Sequence, residues 1–478
     1  MEKATEQAHP LELSGSEMRL LVDAVMERIV AHIESLPDQP AHDLDGAAEL
    51  ARTLVEPLPE TGTPHDELLE LLFERAVPKG YNTAGPGYLA YIPGGGLFHS
   101  AVADLIANAV NRYVGVWLAA PLLVQLETNV IRWFCDIVGY PQSAGGVLTS
   151  GGSLANLSAI VVARRERLPD DFLSGTIYVS DQAHHSIAKA AMLAGFPPDA
   201  MRVVPSDGRF RMVPDELVRA IARDRSVGRA PFLVVASAGT VNTGAVDDFD
   251  TITTITQRER LWLHADAAYG GFFMLTERGR AVMRGMERAD SITLDPHKGL
   301  FIPYGTGSLL VRDAGALRRA HELHAAYLPP MREGGEFVDF CQISPELSRD
   351  FRGLRIWLPL KLAGVAEFRR NLNEKIDLTR WATAELRGIP GMAIVAEPQL
   401  SIVAFRLERD GLDDAALDAL NRELLERINA GKRIYLTATT VAGRFVLRIC
   451  VLSFRTHLDR MEQGLADIRA AVAELTAD

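Results

Sequence analysis

From about residue 98 the chain alternates helical segments with short runs of apolar residues, and this rhythm restricts the possible folds more than any other feature. The runs lack the polar alternation of a strand with one solvated face. Short apolar strands separated by helices are typical of a largely parallel sheet covered on both faces. The sequence therefore predicts a doubly wound α/β domain, in which ligands bind at the carboxyl ends of the strands. The predicted strands span residues 146–149, 176–180, 201–205, 232–237, 262–265, 291–294 and 308–311.

Segments of a different character flank this α/β region. Ser14 and Glu17 form a capping-box pattern before an amphipathic helix, and a second helix is predicted from Thr63 and Pro64. Beyond a long helix that starts near Phe351, the pattern changes to mixed strands and helices. A chain of 478 residues is too long for one compact core. We predict an N-terminal helical segment that packs on a partner subunit, a large α/β domain and a small C-terminal α+β domain, covering residues 1–96, 97–355 and 356–478.

Composition excludes several classes of partner. The net charge of −12 comes from 62 acidic and 50 basic residues, and no Lys/Arg run resembles a nucleic-acid footprint, so neither nucleic acid nor a membrane is an expected partner. The polar N-terminus has no apolar signal-peptide core, and no run of 18 uncharged apolar residues follows. The three cysteines, Cys135, Cys341 and Cys450, lie far apart and favour a reducing compartment. We expect a cytoplasmic protein.

The stretch 291–305, SITLDPHKGLFIPYG, carries the central candidate for chemistry. Lys298 follows an apolar strand and sits among Asp, Pro, His and Gly, which suits an amine that reacts with a buried electrophile better than a surface charge. We interpret Lys298 as the residue that forms a Schiff base with pyridoxal phosphate (PLP). A lone His-Lys pair occurs often by chance, so this hypothesis depends on the other segments.

Four further segments follow strands of the same domain and fit the same cofactor. The turn that includes Gly152 and Ser153 opens a helix whose free N–H groups suit a phosphate. The His184 ring can stack on a planar cofactor, and Thr240 can donate a hydroxyl near it. Asp266 ends an apolar strand, where a pyridinium N–H would be a suitable partner, and the nearby Ala268 is small enough to lie under a flat ring.

A metal site is the competing interpretation of the same segments. Zinc would require several imidazoles and carboxylates to meet within bonding distance, and neither an HExxH motif nor paired CxxC motifs are present. A metal would also leave Lys298 and the SGGS turn unexplained, so we expect no metal. The possible ligands are His184, His185, His264, Asp266 and His297.

Taken together, SGGSLAN, DQAHHS, SAGT, WLHADAAYGG and DPHKGL resemble, in order and spacing, the group II PLP-dependent amino-acid decarboxylases of fold type I. This family includes the aromatic-amino-acid, histidine, tyrosine and glutamate decarboxylases, and the similarity runs from GYLAYIP to FVLRICVLSFRT. It implies a homodimer with active sites at the subunit interface. It also implies that Lys298 is the Schiff-base lysine, that Asp266 pairs with the pyridine nitrogen, and that His184 stacks on the ring while Ala268 packs under it. Gly152 and Ser153 are then expected to hold the phosphate, with Thr240 and His297 near the cofactor. The resemblance further implies that Arg455 orders the site and that Tyr91 and Gly94 belong to the substrate region.

Two positions depart from the family pattern. The loop tyrosine thought to return a proton to Cα falls at Phe340, which cannot donate one. In some plant relatives that exchange accompanies conversion of the amino acid to an aldehyde with oxygen, while Tyr327 or His185 could supply the proton instead. The substrate region has Gly94 in place of a threonine and Gly115 in place of a bulky aromatic residue, which predicts an enlarged or reshaped pocket.

We therefore expect a PLP-dependent decarboxylase that converts an L-amino acid, aromatic rather than acidic, to the amine and carbon dioxide. Decarboxylation with oxidative deamination to an aldehyde is the alternative that Phe340 raises. Another PLP lyase or aminotransferase reaction is a third possibility, because the fold does not determine which bond at Cα breaks. A non-catalytic scaffold is the least favoured hypothesis.

Overall fold

The computed structural model describes residues 11–323 and 337–477, and its N-terminal segment lies against the rest of the chain with most of its surface exposed. Helix α1 begins at the predicted capping box, in which the Glu17 backbone N–H donates to Ser14 Oγ and the Ser14 N–H donates to Glu17 Oε2. No residue of α1 is buried. The elements of this segment are α1 Gly15–Ser35, β1 His42–Asp43, α2 Ala47–Thr53, α3 His65–Glu70 and β2 Gly80–Tyr81, with β1 and β2 paired antiparallel.

A seven-stranded sheet forms the centre of the large domain. Its strands are β3 Gly145–Thr149, β4 Gly175–Ser180, β5 Met201–Val204, β6 Ala230–Ser237, β7 Trp262–Asp266, β8 Ser291–Leu294 and β9 Gly307–Val311. Their order across the sheet is β3-β9-β8-β7-β6-β4-β5. Only β9 runs antiparallel to its neighbours in this sheet. The predicted strands and the largely parallel sheet are confirmed.

Helices cover both faces of this sheet and bury its apolar side chains. They are α4 Phe98–Val110, α5 Pro121–Ile137, α6 Gly152–Arg167, α7 Ser186–Leu193, α8 Pro214–Ser226, α9 Phe249–Glu259, α10 Glu277–Val282, α11 Pro296–Gly299, α12 Ala314–His321 and α13 Arg352–Ala363. The core includes Phe134 and Phe272, whose rings meet edge to face with 5.0 Å between centroids. Helix α7 starts only at Ser186, because residues 181–185 form a turn that places His184 at the sheet edge.

The C-terminal domain has its own core around a four-stranded antiparallel sheet. Its elements are α14 Val365–Arg387, β10 Met392–Ala396, β11 Ile402–Leu407, α15 Asp414–Ala430, β12 Thr437–Val441, β13 Arg444–Cys450 and α16 Leu458–Ala477. The strand order is β10-β11-β13-β12. Strands β10 and β12 were not predicted, because both are short and only partly buried. Their strand conformation depends on pairing with neighbouring strands rather than on a pattern in their own sequence.

The predicted boundary at residue 355 lies inside α13. This helix packs on α4 and α5, and Arg355 Nε lies 2.7 Å from Asp104 Oδ1 of α4. Gly364, with a φ of 75°, separates α13 from α14. We therefore propose Gly364 as the boundary between the large and small domains, and the other limits stay predictions. No helix among residues 11–323 and 337–477 is long and apolar enough to cross a membrane.

Candidate active site

One cavity of about 280 Å³ opens at the carboxyl ends of β4, β6, β7 and β8. The α/β fold leads us to expect ligands at this edge, because each strand ends there in a turn free to carry functional groups. All the residues predicted to contact the cofactor line this cavity: Gly152, Ser153, His184, Thr240, Asp266, Ala268, His297 and Lys298.

Lys298 lies in α11, the single helical turn that follows β8. Its Nζ is 2.8 Å from Asp295 Oδ2, and the Asp295 side chain is only 2% exposed. Burial by itself would lower the pKa of Lys298, but the Asp295 carboxylate raises it above its usual value. The pair therefore favours the charged form of Lys298. Asp295 is within the motif that identified Lys298, yet its role is visible only from the distance between the two side chains.

Asp266 ends β7 and accepts two hydrogen bonds. Its Oδ1 accepts from the Ala268 backbone N–H at 3.3 Å, and its Oδ2 accepts from Asn156 Nδ2 at 3.2 Å. Asn156 lies on α6, is 1% exposed and lines the cavity. Sequence reasoning missed it, although a polar residue on the buried face of an apolar helix indicates a residue with a dedicated partner.

Two histidines near Asp266, His184 and His264, both have a lowered pKa, but only one of them lies at the cavity. His184 follows β4 and lines the cavity, and burial lowers its pKa. His264 lies within β7 with no exposed surface, and burial lowers its pKa to about 4. Both imidazoles are therefore neutral at physiological pH, and only His184 is open to a ligand.

The start of α6 offers the groups that a phosphate requires. Gly151 is the N-cap, so the N–H groups of Gly152 and Ser153 have no partner within the helix. A Cβ at Gly152 would lie 2.9 Å from Asp295 Oδ2, which explains the glycine. Thr240 lies in the turn after β6, where its hydroxyl accepts from the Ala245 N–H at 3.1 Å.

His297 faces the cavity from the same turn as Lys298. Its Nδ1–H donates to the Thr306 carbonyl at 2.6 Å, which leaves Nε2 as the basic nitrogen, and burial lowers the pKa of the ring. Gly94 packs behind this turn, since a Cβ there would lie 2.1 Å from the His297 carbonyl oxygen. A Cβ at Gly115 would meet the Tyr113 hydroxyl at 2.6 Å. The expectation that these glycines enlarge the pocket is not supported, because other groups of the chain fill both spaces.

Three of the remaining predicted residues, Phe340, Tyr91 and Arg455, are not among those that line the cavity. Phe340 has no exposed surface, and its ring lies under the Arg349 guanidinium at 4.6 Å. Tyr91 is 51% exposed with a φ of 47°. Arg455 donates to the carbonyls of Ala84 and Gly95, so it fixes both ends of the glycine-rich segment 84–96 rather than contacting the cavity. Tyr327 lies outside the described residues.

Both the chemistry and the shape of the cavity fit pyridoxal phosphate. An amine at Lys298, a carboxylate at Asp266, a flat ring at His184 and a helix start that tolerates no Cβ at Gly152 supply one group for each part of that cofactor. The metal interpretation gains no support, because the described residues contain no group of three His, Cys, Asp or Glu side chains that could hold a metal ion.

Comparison with known proteins agrees with this fit. Residues 49–408 match the family described as the pyridoxal-dependent decarboxylase conserved domain. The chain belongs to this family. It is 34% identical to the aromatic-L-amino-acid decarboxylase of Bacillus atrophaeus over 468 residues, which cover 98% of each chain.

Solved structures extend the similarity to the whole fold. The structure of Oryza sativa TDC with PLP and tryptamine superposes with a TM-score of 0.93 at 27% identity, covering 98% of this chain and all of the other. Rhodiola rosea 4-hydroxyphenylacetaldehyde synthase gives a TM-score of 0.90 over 98% of this chain and 99% of the other, and at 23% identity this similarity concerns the fold alone. The family resemblance and fold type I are confirmed. This decarboxylase is a carboxy-lyase that uses pyridoxal 5'-phosphate and acts on an amino acid.

Proposed function

We propose that this decarboxylase converts an aromatic L-amino acid to the corresponding amine and carbon dioxide. The observation that carries the proposal is the convergence of Lys298, Asp266, His184 and the start of α6 on one cavity. The relative from Bacillus atrophaeus, similar over nearly the whole chain, is an aromatic-L-amino-acid decarboxylase, which supports the substrate class.

Each residue has a separate task in this proposal. The first-turn N–H groups of α6 would hold the phosphate, and Lys298 would be the point of covalent attachment. Asp266 would keep a proton on the pyridine nitrogen, while His184 and Ala268 would contact the ring. When bound, the cofactor supplies a conjugated ring that accepts the electron pair left at Cα as carbon dioxide departs.

The charges around the cavity favour a substrate without an acidic side chain. Among the described residues that line it, the basic side chains are Lys298, His184 and His297. Lys298 already pairs with Asp295, and burial lowers the pKa of both histidines. A side-chain carboxylate would therefore meet no free cation among the described residues that line the cavity, whereas an aromatic ring needs none.

The aldehyde-forming alternative rested on Phe340. Because the Phe340 ring is buried beneath Arg349, its identity favours neither product. The amine therefore remains the proposed product. Tyr327 and His185 remain candidates for returning the proton to Cα, and His185 lies beside His184 with 4.1 Å between ring centroids.

We also propose a homodimer. Helix α1 is 21 residues long without one buried residue, and Leu20 on it is 71% exposed. Leu58 and Leu122 are 94% and 81% exposed. A monomer rarely leaves so much apolar surface in water, so a second copy is the simplest cover. Light scattering after gel filtration measures the mass directly, and a monomer would contradict this part of the proposal.

We further propose a reducing compartment such as the cytoplasm. All three cysteines are free thiols, which supports this location.

A product panel tests the reaction. The purified protein is incubated with aromatic, acidic and aliphatic L-amino acids, and carbon dioxide, amine, aldehyde, ammonia and peroxide are measured. We expect carbon dioxide and amine in equal amounts from aromatic substrates. Aldehyde with an equal amount of peroxide would overturn the proposed product.

Peptide mapping tests the attachment site. Borohydride reduction should leave a pyridoxyl group on the peptide that contains Lys298, and Lys298→Ala should abolish both this label and turnover while the circular dichroism spectrum is retained. Lys189→Ala is the matched control, because Lys189 is an exposed lysine of α7. A label on another lysine would overturn the assignment.

A further inference from the structure

A chain of buried hydrogen bonds runs beneath the cavity and reaches both sides of the cofactor site. Its members come from β7, β8, α6 and the start of α7. All of them except Asp266 and His184, which open on the cavity, are less than 5% exposed. The chain runs through Trp262, Ser291, His264, Asn156 and then branches to Asp266 and to Ser186 with His184.

The direction of the chain is set by the groups at its two ends. The indole N–H of Trp262 can only donate, and it lies 2.8 Å from Ser291 Oγ. At the other end the Asp266 carboxylate can only accept, so it faces the NH₂ of Asn156, and Asn156 Oδ1 accepts from His264 Nε2 at 3.0 Å. His264 is neutral, so its Nδ1 carries no proton and accepts from the Ser291 hydroxyl at 2.8 Å.

Asn156 transmits this direction to the site because every position of its amide is used. Its Oδ1 accepts from His264 Nε2 and from the Thr293 hydroxyl at 2.8 Å. Its Nδ2 has two hydrogens, which donate to Asp266 Oδ2 at 3.2 Å and to Ser186 Oγ at 3.0 Å. A flipped amide would direct its oxygen at the Asp266 carboxylate and its NH₂ at the His264 N–H. The observed orientation is therefore the one that satisfies all four contacts.

The second branch determines the protonated nitrogen of His184. Ser186 Oγ accepts from Asn156, so its own proton is directed at His184 Nδ1 at 2.8 Å. The Ser186 backbone N–H also donates to Nδ1, at 3.2 Å. A nitrogen that accepts two hydrogen bonds carries no proton, so the His184 proton lies on Nε2.

We propose that Asn156 is a positioning residue that sets the Asp266 carboxylate and the His184 tautomer together, through the two hydrogens of one amide. The inference rests on the proposed function, in which Asp266 pairs with the pyridine nitrogen and His184 stacks on the ring. Asn156 acts through those two groups. The pyridine partner and the stacking ring are therefore coupled, and loss of the amide disturbs both.

Asn156→Leu tests this coupling, because leucine keeps the approximate volume and removes every hydrogen bond of the amide. Asn421→Leu is the matched control: Asn421 is also a fully buried asparagine, and its amide bonds the backbone of Leu407 and Leu417 in the small domain. Each variant loses a buried amide, so stability falls in both. Only Asn156→Leu should alter the site.

The first readout is the tautomer of His184 in the full-length chain labelled with ¹⁵N-histidine. Long-range ¹H–¹⁵N correlation spectra distinguish a proton on Nε2 from one on Nδ1, and His184→Gln identifies the signal. We expect Nε2–H in the wild type and in Asn421→Leu. In Asn156→Leu the Ser186 hydroxyl is no longer held towards Nδ1, and only the longer 3.2 Å bond from the Ser186 backbone N–H remains, so the Nδ1 signal should shift and some Nδ1–H tautomer should appear. An unchanged His184 signal in Asn156→Leu would overturn the proposal.

The second readout is the dissociation constant of pyridoxal 5'-phosphate, measured by absorbance. A hydrogen bond to a charged group implies a loss of about 10- to 100-fold in Asn156→Leu, against less than about twofold in Asn421→Leu. Equal losses in the two variants would reduce Asn156 to a structural role and overturn the proposal. Asp266→Asn separates the underlying assumption: if it leaves cofactor affinity unchanged while Asn156→Leu still mixes the tautomers, the assigned role of Asp266 fails and the hydrogen-bond chain stands.

Discussion

Replacing Asp295 by asparagine should release Lys298 from its ammonium form at neutral pH. The two side chains form an ion pair at 2.8 Å, with 22% of the Lys298 side chain and 2% of the Asp295 side chain exposed. Asp295 Oδ1 is buried without a hydrogen-bond partner, so the substitution breaks no second interaction there. The main consequence of Asp295→Asn is thus the loss of one negative charge beside the amine.

The size of the effect follows from the geometry of the pair. Burial favours the neutral amine, and Asp295 is the group that overrides it and raises the pKa of Lys298. An opposite charge at this range shifts a pKa by about 1–3 units, which corresponds to about 1.4–4 kcal/mol. Asp295→Asn should lower the pKa of Lys298. A free-energy change of this size raises the fraction of free amine about 10- to 1000-fold at a pH below the pKa in both proteins.

Cofactor capture reports this fraction, because only the neutral amine attacks the aldehyde. The cofactor-free protein is mixed with pyridoxal 5'-phosphate over a range of pH, and the rate is followed by absorbance. The rate should rise with pH up to the pKa of Lys298 in both proteins. In Asp295→Asn the midpoint should lie at lower pH, so capture at neutral pH is faster.

An unchanged midpoint, or one at higher pH, would refute the view that Asp295 keeps Lys298 charged. Asp250→Asn is the control, since it also removes one carboxylate from an ion pair, with Arg284, at the surface. Lys298→Ala should show no covalent capture at any pH. Thermal unfolding of each variant verifies that the rates come from folded protein.

Three further predictions concern stability. His264 has a pKa of about 4 in the folded chain against 6.5 when unfolded, so the free energy of unfolding should fall by up to about 3 kcal/mol as pH drops from 6.5 towards 4. Urea titrations of the wild type and of His264→Gln over this pH range measure the dependence, and equal pH dependence in the two proteins would contradict it. Glu127 and Arg349 form a fully buried pair at 2.6 Å, so Glu127→Leu should cost about 3–5 kcal/mol in urea unfolding, and a cost under about 1 kcal/mol would contradict this. Gly94→Thr should lower the melting temperature, because the added side chain clashes with the turn that carries His297 and Lys298. Gly62→Thr is the control and should leave the melting temperature unchanged, since Gly62 has open space around it. A stable Gly94→Thr protein with altered substrate preference would restore the hypothesis that Gly94 shapes the substrate pocket.

Several residues near the site became interpretable only from the three-dimensional arrangement. Asn156, Ser186 and Asp295 lie within recognisable motifs, yet nothing in their spacing indicates which side chains they contact. Asn156 and Asp266 are separated by 110 residues, and the α/β fold brings them to 3.2 Å. A hydrogen bond between distant elements depends on strand order and on the angle of a helix across the sheet, and neither is encoded locally.

Phe340 is a position whose expected place in the site the structure does not reproduce. The resemblance to the family, rather than any local pattern, put Phe340 where the proton-donating loop tyrosine falls. Burial beneath Arg349 depends on how residues 337–351 fold back on α5 and β3, through the Glu127–Arg349 pair and a hydrogen bond from Arg349 to the Leu148 carbonyl at 3.2 Å. Such long-range contacts are invisible to periodicity and propensity.

The sequence by itself determined the sheet and the place of the proposed cofactor site. Apolar strands and helix starts are local patterns, and parallel strands bring their carboxyl ends to one edge, so Lys298, Asp266 and Gly152 could be assigned to a common site from order alone. Only the tertiary structure decided the state of those groups. The charge of Lys298, the proton of His184 and the orientation of Asp266 depend on contacts of about 3 Å between residues far apart in the chain, and those distances exist only after folding.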